Sequence, residues 1–223
     1  MKAIAATDQT AGTAGMKLVE LPEPRAAIND VVVQVHAAGF VNTELISGLT
    51  AWQGLFQHGR IKAGQSVLAH GAAGAVGSMV AQLAREAGAY VIGTGRAADR
   101  QKALDFGANE FLDLAKDTLE DVGGVDLVFD VIGGDFQKRS ATLVRAGGIL
   151  VTVVGPTDIR PADGLTVDFV VEADRPQLSE IVQRIRDGRL RTNIGKVSSL
   201  DDAIGTFNST DRRAGKTVIR VRP

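Results

Sequence analysis

The chain has 223 residues, 44% of them apolar, enough for one large or two small domains with a real core. Its 25 basic and 26 acidic side chains are interspersed, leaving no basic stripe for nucleic acid, and the absence of cysteine excludes disulfides, thiolate metal ligands and a cysteine nucleophile. No apolar stretch reaches transmembrane length and the opening MKAIAATDQT has no signal-peptide core, so a cytoplasmic protein with no membrane partner is expected.

Residues 1–45 carry strand-like runs at 2–5, 16–21 and 30–37. In the last run Val31, Val33 and Val35 share one face, and Pro22 and Pro24 separate it from the run before. Residues 47–190 alternate strand and helix. A strand over 66–70 leads through Gly71, Gly74 and Gly77 into a helix with apolar positions Val76, Val80, Leu83, Ala84 and Ala87, stopped by Gly88. A strand follows at 90–94, then Gly95-Arg96. Asp99 reads as the N-cap of a helix over about 98–106, closed by Gly107.

Strands are next expected at 110–113 and 126–130, the latter ending in Ile132-Gly133-Gly134. A helix over about 135–144 leads to a strand at 149–154, ending in Gly155-Pro156, and another strand is expected at 167–172. Asp174 caps a helix whose buried stripe is Leu178, Ile181, Val182 and Ile185, with Pro176 near its start and Gly188 at its end. Residues 192–223 add a short helix over 200–207, capped by Ser199, and a terminal strand over 216–221.

Strands separated by helices of this length pair in parallel, giving a doubly wound α/β sheet of Rossmann type. Such sheets bind ligands beyond the C-terminal ends of their strands, and the glycine-bearing ends at 71–77, 95, 133–134 and 155 all fall on that rim. A flat, extended dinucleotide needs a rim of that kind. Its diphosphate would rest against the amides of Gly71, Ala72, Ala73, Gly74, Ala75, Val76 and Gly77, where the helix dipole favours an anion. The GxxGxxG spacing also serves tight strand–helix packing in proteins that bind nothing. No Asp or Glu stands at 93–98, so Arg96 and Arg100 point to the 2′-phosphate of NADP rather than the 2′-hydroxyl of NAD, unless they are ordinary solvated arginines.

Chemistry other than hydride transfer has little support. His36, His58 and His70 show no HExxH spacing; His36 sits in a strand alternation, and His70 reads as a strand-end hydrogen bonder rather than an acid. The single tyrosine, Tyr90, has Thr94 four residues on, which excludes a Tyr-x-x-x-Lys acid, and no nucleophile elbow is present. No metal site is expected.

The opening MKAIAA, VVVQVHAAGFVNTEL at 31–45, GLTAWQGLFQHGRIKAGQSVLAHGAAGAVG at 48–77, DLVFDVIGG at 126–134, GGILVTVVGP at 147–156 and GKTVIRV at 215–221 together resemble the medium-chain dehydrogenase/reductase superfamily, in its zinc-independent quinone oxidoreductase branch. The resemblance implies an NADP-binding Rossmann domain over 47–191. Residues 1–46 with 192–223 then form a small GroES-like catalytic domain, most of it missing, because relatives carry a long segment between the NTEL and GLTAW stretches.

It further implies NADPH on the GAAGAVG turn, with Gly95, Arg96 and Arg100 at the adenosine end. Val131, Ile132, Gly133, Val154 and Gly155 belong to its nicotinamide side, and Lys216 is a further cofactor-binding candidate. Asn42 and Thr50 stand as candidate catalytic residues beside substrate and nicotinamide; read without the family, Asn42 is a turn former and Thr50 a helix N-cap. The implied function is zinc-free hydride transfer to a quinone or activated enone, in a homodimer paired through the strand at 167–172. An NADPH-binding pseudoenzyme or regulatory module, and an interaction protein that keeps the fold without using the site, are the alternatives.

Overall fold

The computed structural model describes residues 1–6, 15–28, 31–39, 44–208 and 215–222. It divides into two compact units, Met1–Glu44 with Asn193–Pro223, and Leu45–Thr192.

In the first unit β1 (Lys2–Ala6) pairs antiparallel with β2 (Met16–Glu20). A second sheet has β3 (Ala37–Gly39) antiparallel to β11 (Lys216–Arg220), which runs parallel to β10 (Ile194–Ser199). Residues 31–36 are not the expected strand: among the described residues none pairs with 31–35, and Val31 and Val33 are 84% and 73% exposed. Valine alternation favours a strand only where a partner strand and a face to bury exist. His36 contributes its carbonyl instead, accepting from Val221 N at 2.9 Å. Short helix α6 (Ala203–Phe207) starts later than expected. Ser199 does act at its approach, its hydroxyl accepting from Asp202 N at 3.1 Å.

The second unit is built on six parallel strands: β4 (Ser66–Ala69), β5 (Tyr90–Gly95), β6 (Glu110–Asp113), β7 (Val125–Asp130), β8 (Val144–Thr152) and β9 (Leu165–Asp168). Their order across the sheet is β6-β5-β4-β7-β8-β9, so the winding reverses between β4 and β7. Two-residue alternation sorts the side chains. Val67, Ala69, Val91, Leu127, Phe129 and Val151 face one layer of helices, whereas Leu68, Ile92, Val128 and Leu150 face the other. The first layer holds Leu49 of α1 (Glu44–Trp52), Leu55 of the π-helical turn Gln53–His58, Val80 and Leu83 of α2 (Ala75–Glu86), Ala103 of α3 (Arg100–Asp105) and Ile181 of α5 (Arg175–Arg186). The second is thinner, with Leu119 of the 3-10 turn Leu119–Val122 and Ala141 of α4 (Gly134–Ala141). Each fully buried large side chain here contributes about 1.5–3 kcal/mol.

Several boundaries move for local reasons. β9 lies at 165–168 rather than 167–172, because its register ends on the last β8 residue, Thr152 against Asp168. β8 begins earlier than 149, through a register shift that admits extra residues after Val144. α4 stops at Ala141, where Thr142 and Leu143 close tight turns onto Arg139 and Ser140. Asp174 caps α5 as expected, accepting from Gln177 N at 2.8 Å, but Val182 is 37% exposed and not part of the buried stripe. Asp99 does not cap α3 with its side chain; it lies in the 3-10 turn Ala97–Asp99 with helical backbone angles. Thr50 is interior to α1 and caps nothing.

Candidate functional site

The strand ends around the reversal between β4 and β7 form one connected rim. After β4 the chain turns at Gly71, whose φ of +61° suits glycine. Ala72 N donates to Thr94 O of β5 at 3.0 Å, and Gly74 N closes the turn onto Gly71 O at 2.7 Å. Gly74 then stands at the N-cap of α2 with extended backbone and no capping side chain. A first helical turn leaves amide N–H groups without intrahelical acceptors, so this terminus is open to an anion. Gly74 and Ala75 are exposed, whereas Ala72 and Ala73 are buried beneath them and Val76 is half-buried. Gly77 presses against the turn: a β-carbon there would lie 2.1 Å from Gly71 O.

The neighbouring turns touch this one. A β-carbon on Gly71 would meet Val131 Cγ2 at 3.2 Å, and one on Gly133 would meet Val154 Cγ1 at 2.9 Å. Ile132 and Val154 present apolar side chains to solvent at 39% and 53% exposure, and Gly155 follows with φ +138°. On the other side, Gly95 ends β5 and Arg96 is exposed, with no side-chain hydrogen bond or ion pair among the described residues. Arg100 is engaged. Its guanidinium lies 5.3 Å from the Phe111 ring centre and 4.0 Å from the Asp117 carboxyl. Asp99 folds back beside Gly95, its Cβ 3.6 Å from where a Gly95 β-carbon would stand.

The structure thus gathers residues 71–77, Gly95, Arg96, Arg100, Val131, Ile132, Gly133, Val154 and Gly155 at the strand ends of one unit. Thr50 is buried in α1 of that unit. Lys216 starts β11 in the other unit, its amide donating to Asn193 O at 2.6 Å. Asn42 lies outside the described residues.

Beneath the rim is a buried polar network. His70, with no exposed surface, places Nδ1 2.8 Å from Thr94 Oγ1 and Nε2 2.7 Å from Ser140 Oγ. Burial pushes its pKa down to about 4, although the nearby Asp130 carboxyl pulls the other way. Asp130, equally buried, accepts from the Ile132 and Gly133 amides at 3.0 Å each and from Thr152 Oγ1 at 2.9 Å. Sequence reasoning missed Asp130, Thr152, Thr94 and Ser140. An aspartate closing a strand three and four residues before a glycine pair is the turn-capping signal that points to the first of them.

A doubly wound sheet with glycine-punctuated strand ends and an uncapped helix at its reversal defines a Rossmann-type fold. A family model described as zinc-binding dehydrogenase matches residues 75–175. The quinone oxidoreductase of Mus musculus is 30% identical over 190 residues, 75% of this chain and 57% of that protein. A phenolphthiocerol/phthiocerol polyketide synthase polypeptide of Mycobacterium tuberculosis is 28% identical over 94% of this chain and 11% of its own length. The chain therefore spans little more than half of the mouse relative and a small part of the mycobacterial one. Among solved structures, the quinone oxidoreductase from Coxiella burnetii matches with a TM-score of 0.68 and 25% identity, over 79% of this chain and 59% of that one. The quinone oxidoreductase from Thermus thermophilus, solved also with NADPH, shares the fold with a TM-score of 0.79 at 21% identity, over 99% of this chain and 100% of that one. The chain belongs to the medium-chain dehydrogenase/reductase superfamily, in its quinone oxidoreductase branch. Among the described residues no helix is long and apolar enough to cross a membrane.

Proposed function

We propose that this chain is an NADPH-dependent oxidoreductase that transfers hydride to a quinone or an activated enone without zinc. The observation that carries the reading is the uncapped N-terminus of α2 over a turn where Gly77 admits no β-carbon. The open amides of the first turn of α2, from Ala75 onward, would hold the diphosphate, with Arg96 and Arg100 at the 2′-phosphate. The Val131–Gly133 and Val154–Gly155 turns would flank the nicotinamide side. When bound, the dinucleotide supplies the hydride. A quinone or enone delocalises the charge that develops on reduction, so the protein's task is to hold donor and acceptor at near-attack distance while solvent supplies the proton. The absence of cysteine and the closed hydrogen bonding of His70 favour chemistry without a metal. Support for NADPH also comes from the Thermus structure solved with it and from a Cochliobolus heterostrophus relative, 27% identical, named as an NADP-dependent oxidoreductase.

Stopped-flow oxidation of NADPH against a panel of quinones tests this reading, with nicotinamide fluorescence reporting binding. Arg96→Ala is expected to cut the preference for NADPH over NADH by roughly ten- to hundredfold, the weight of one charge-assisted hydrogen bond. Unchanged discrimination, or wild-type preference for NADH governed by Asp99, would remove the NADP assignment. The second reading, an NADPH-binding module without turnover, is favoured by the exposed valines at 31–35 in the reduced first unit. It predicts tight binding and no acceptor turnover.

β9 forms the edge of the sheet, with Leu165 62% exposed, and pairing of two such edges would give a homodimer. Sedimentation at micromolar concentration is expected to return twice the chain mass; a monomer would exclude this pairing.

A further inference from the structure

We propose that Asp130 is the positioning residue for the nicotinamide half of the cofactor, an inference that rests on the NADPH reading above. Its carboxyl is buried, too deep to touch a ligand on the rim. One oxygen accepts from both Ile132 N and Gly133 N, closing the turn after β7. That turn leads into consecutive residues at φ +75° and +60°, Gly133 and Gly134. The other oxygen accepts from Thr152 Oγ1, which itself accepts from Val154 N at 3.3 Å, so the same group also ties down the turn after β8. The Asp130 carbonyl adds a hydrogen bond from Val153 N at 3.2 Å. A single side chain therefore sets two adjacent turns, whose exposed side chains are Ile132 and Val154.

The diphosphate turn is fixed separately. Two of its ties run from Ala72 N to Thr94 O and from Gly74 N to Gly71 O, and neither passes through Asp130. This division gives a readout that a general loss of stability would not reproduce. Loosening Asp130 frees the nicotinamide-side turns and leaves the half that holds the adenosine phosphates intact.

The experiment compares binding of NADPH and of 2′,5′-ADP, which lacks the nicotinamide, to wild type and to the Asp130→Ala, Asp130→Asn and Thr152→Val variants of the full chain. Asp130→Ala is expected to weaken NADPH about tenfold, the weight of buried hydrogen bonds left open. It should also lose the enhancement of nicotinamide fluorescence, while 2′,5′-ADP affinity stays within about twofold. Asp130→Asn keeps an oxygen for the two amides and is expected to restore most of both signals. If Asp130→Ala does not fold, Thr152→Val removes the hydroxyl that joins the Asp130 carboxyl to Val154 N, leaves the Ile132 and Gly133 amide bonds in place, and is expected to shift NADPH, not 2′,5′-ADP, in the same direction. Equal weakening of both ligands, no change in either, or failure of Asp130→Asn to rescue overturns the assignment. Wild type binding 2′,5′-ADP but showing no nicotinamide signal overturns it as well. Wild type binding neither ligand instead brings down the cofactor reading, and the positioning role with it.

Discussion

Gly77→Ala is expected to lower NADPH affinity on the order of 100-fold, the penalty typical of displacing a binding element by about 1 Å. A β-carbon at this position would lie 2.1 Å from Gly71 O, 2.6 Å from Gly71 C and 3.0 Å from Ala72 Cα. All three are backbone atoms of the turn itself, so no rotamer relieves the clash. The helix must lift from the turn, and the amides at its N-terminus move with it. The same overpacking is expected to cost about 1–3 kcal/mol of stability. Gly74→Ala supplies the contrast. Its nearest neighbour is Gly71 O at 3.1 Å, on an exposed residue with φ −79°, which alanine adopts freely. Its stability should therefore change by less than that of Gly77→Ala. Isothermal titration and thermal melts of the two variants check the ordering. A Gly77→Ala protein that melts like wild type and binds NADPH as tightly would refute the account of this turn.

The unequal legibility of the sequence follows from where its signals arise. The glycines after each strand are local: Gly71, Gly95, Gly133 and Gly155 mark chain reversals whatever else the molecule does, and the structure puts all four at strand ends. The alternating burial of Val67, Leu68 and Ala69 is local too. Signals that depend on a partner fared worse. The valines at 31–35 have strand chemistry but no described strand to pair with, and β9 is cut to the length that β8 offers it. Thr50 has a cap's chemistry, yet Leu49 and Ala51 bury that stretch of α1 against the sheet and extend the helix past it. The polar network was half visible. His70 at a strand end reads as a hydrogen bonder, which it is, but its partners Thr94 and Ser140 lie 24 and 70 residues away, where no spacing rule reaches. Asp130 was hidden for a different reason: an aspartate next to glycines looks like any turn former until Thr152 of the neighbouring strand is seen beside it.

The same network predicts a strong dependence of stability on pH. His70 is neutral in the fold with its pKa pushed down to about 4 by burial, whereas in the unfolded chain an imidazole titrates near 6.5. Between those values the unfolded state binds the extra proton, so stability rises with pH and is lost as pH falls from about 6.5 toward 4. The depression corresponds to up to about 3 kcal/mol, a large fraction of the roughly 5–15 kcal/mol that holds a domain together. The carboxylates act elsewhere on the scale. Glu120, held down to about 2 by its hydrogen bonds from Arg139, gives up its share only below its ordinary value of 4.5. The two effects therefore separate. Urea unfolding at pH 7.5, 6 and 5 is expected to show most of the loss before Glu120 and its like begin to protonate. His70→Gln, which cannot take up the proton, should be less stable than wild type at pH 7.5 because Thr94 and Ser140 lose their ring partner, yet show a flatter pH profile. The crossing of those two lines is the signature of a buried neutral imidazole. An NMR titration placing the His70 ring near 6.5 in the folded protein, or parallel urea profiles for the two proteins, would show that the imidazole is solvated and that the network beneath the rim does not close as described.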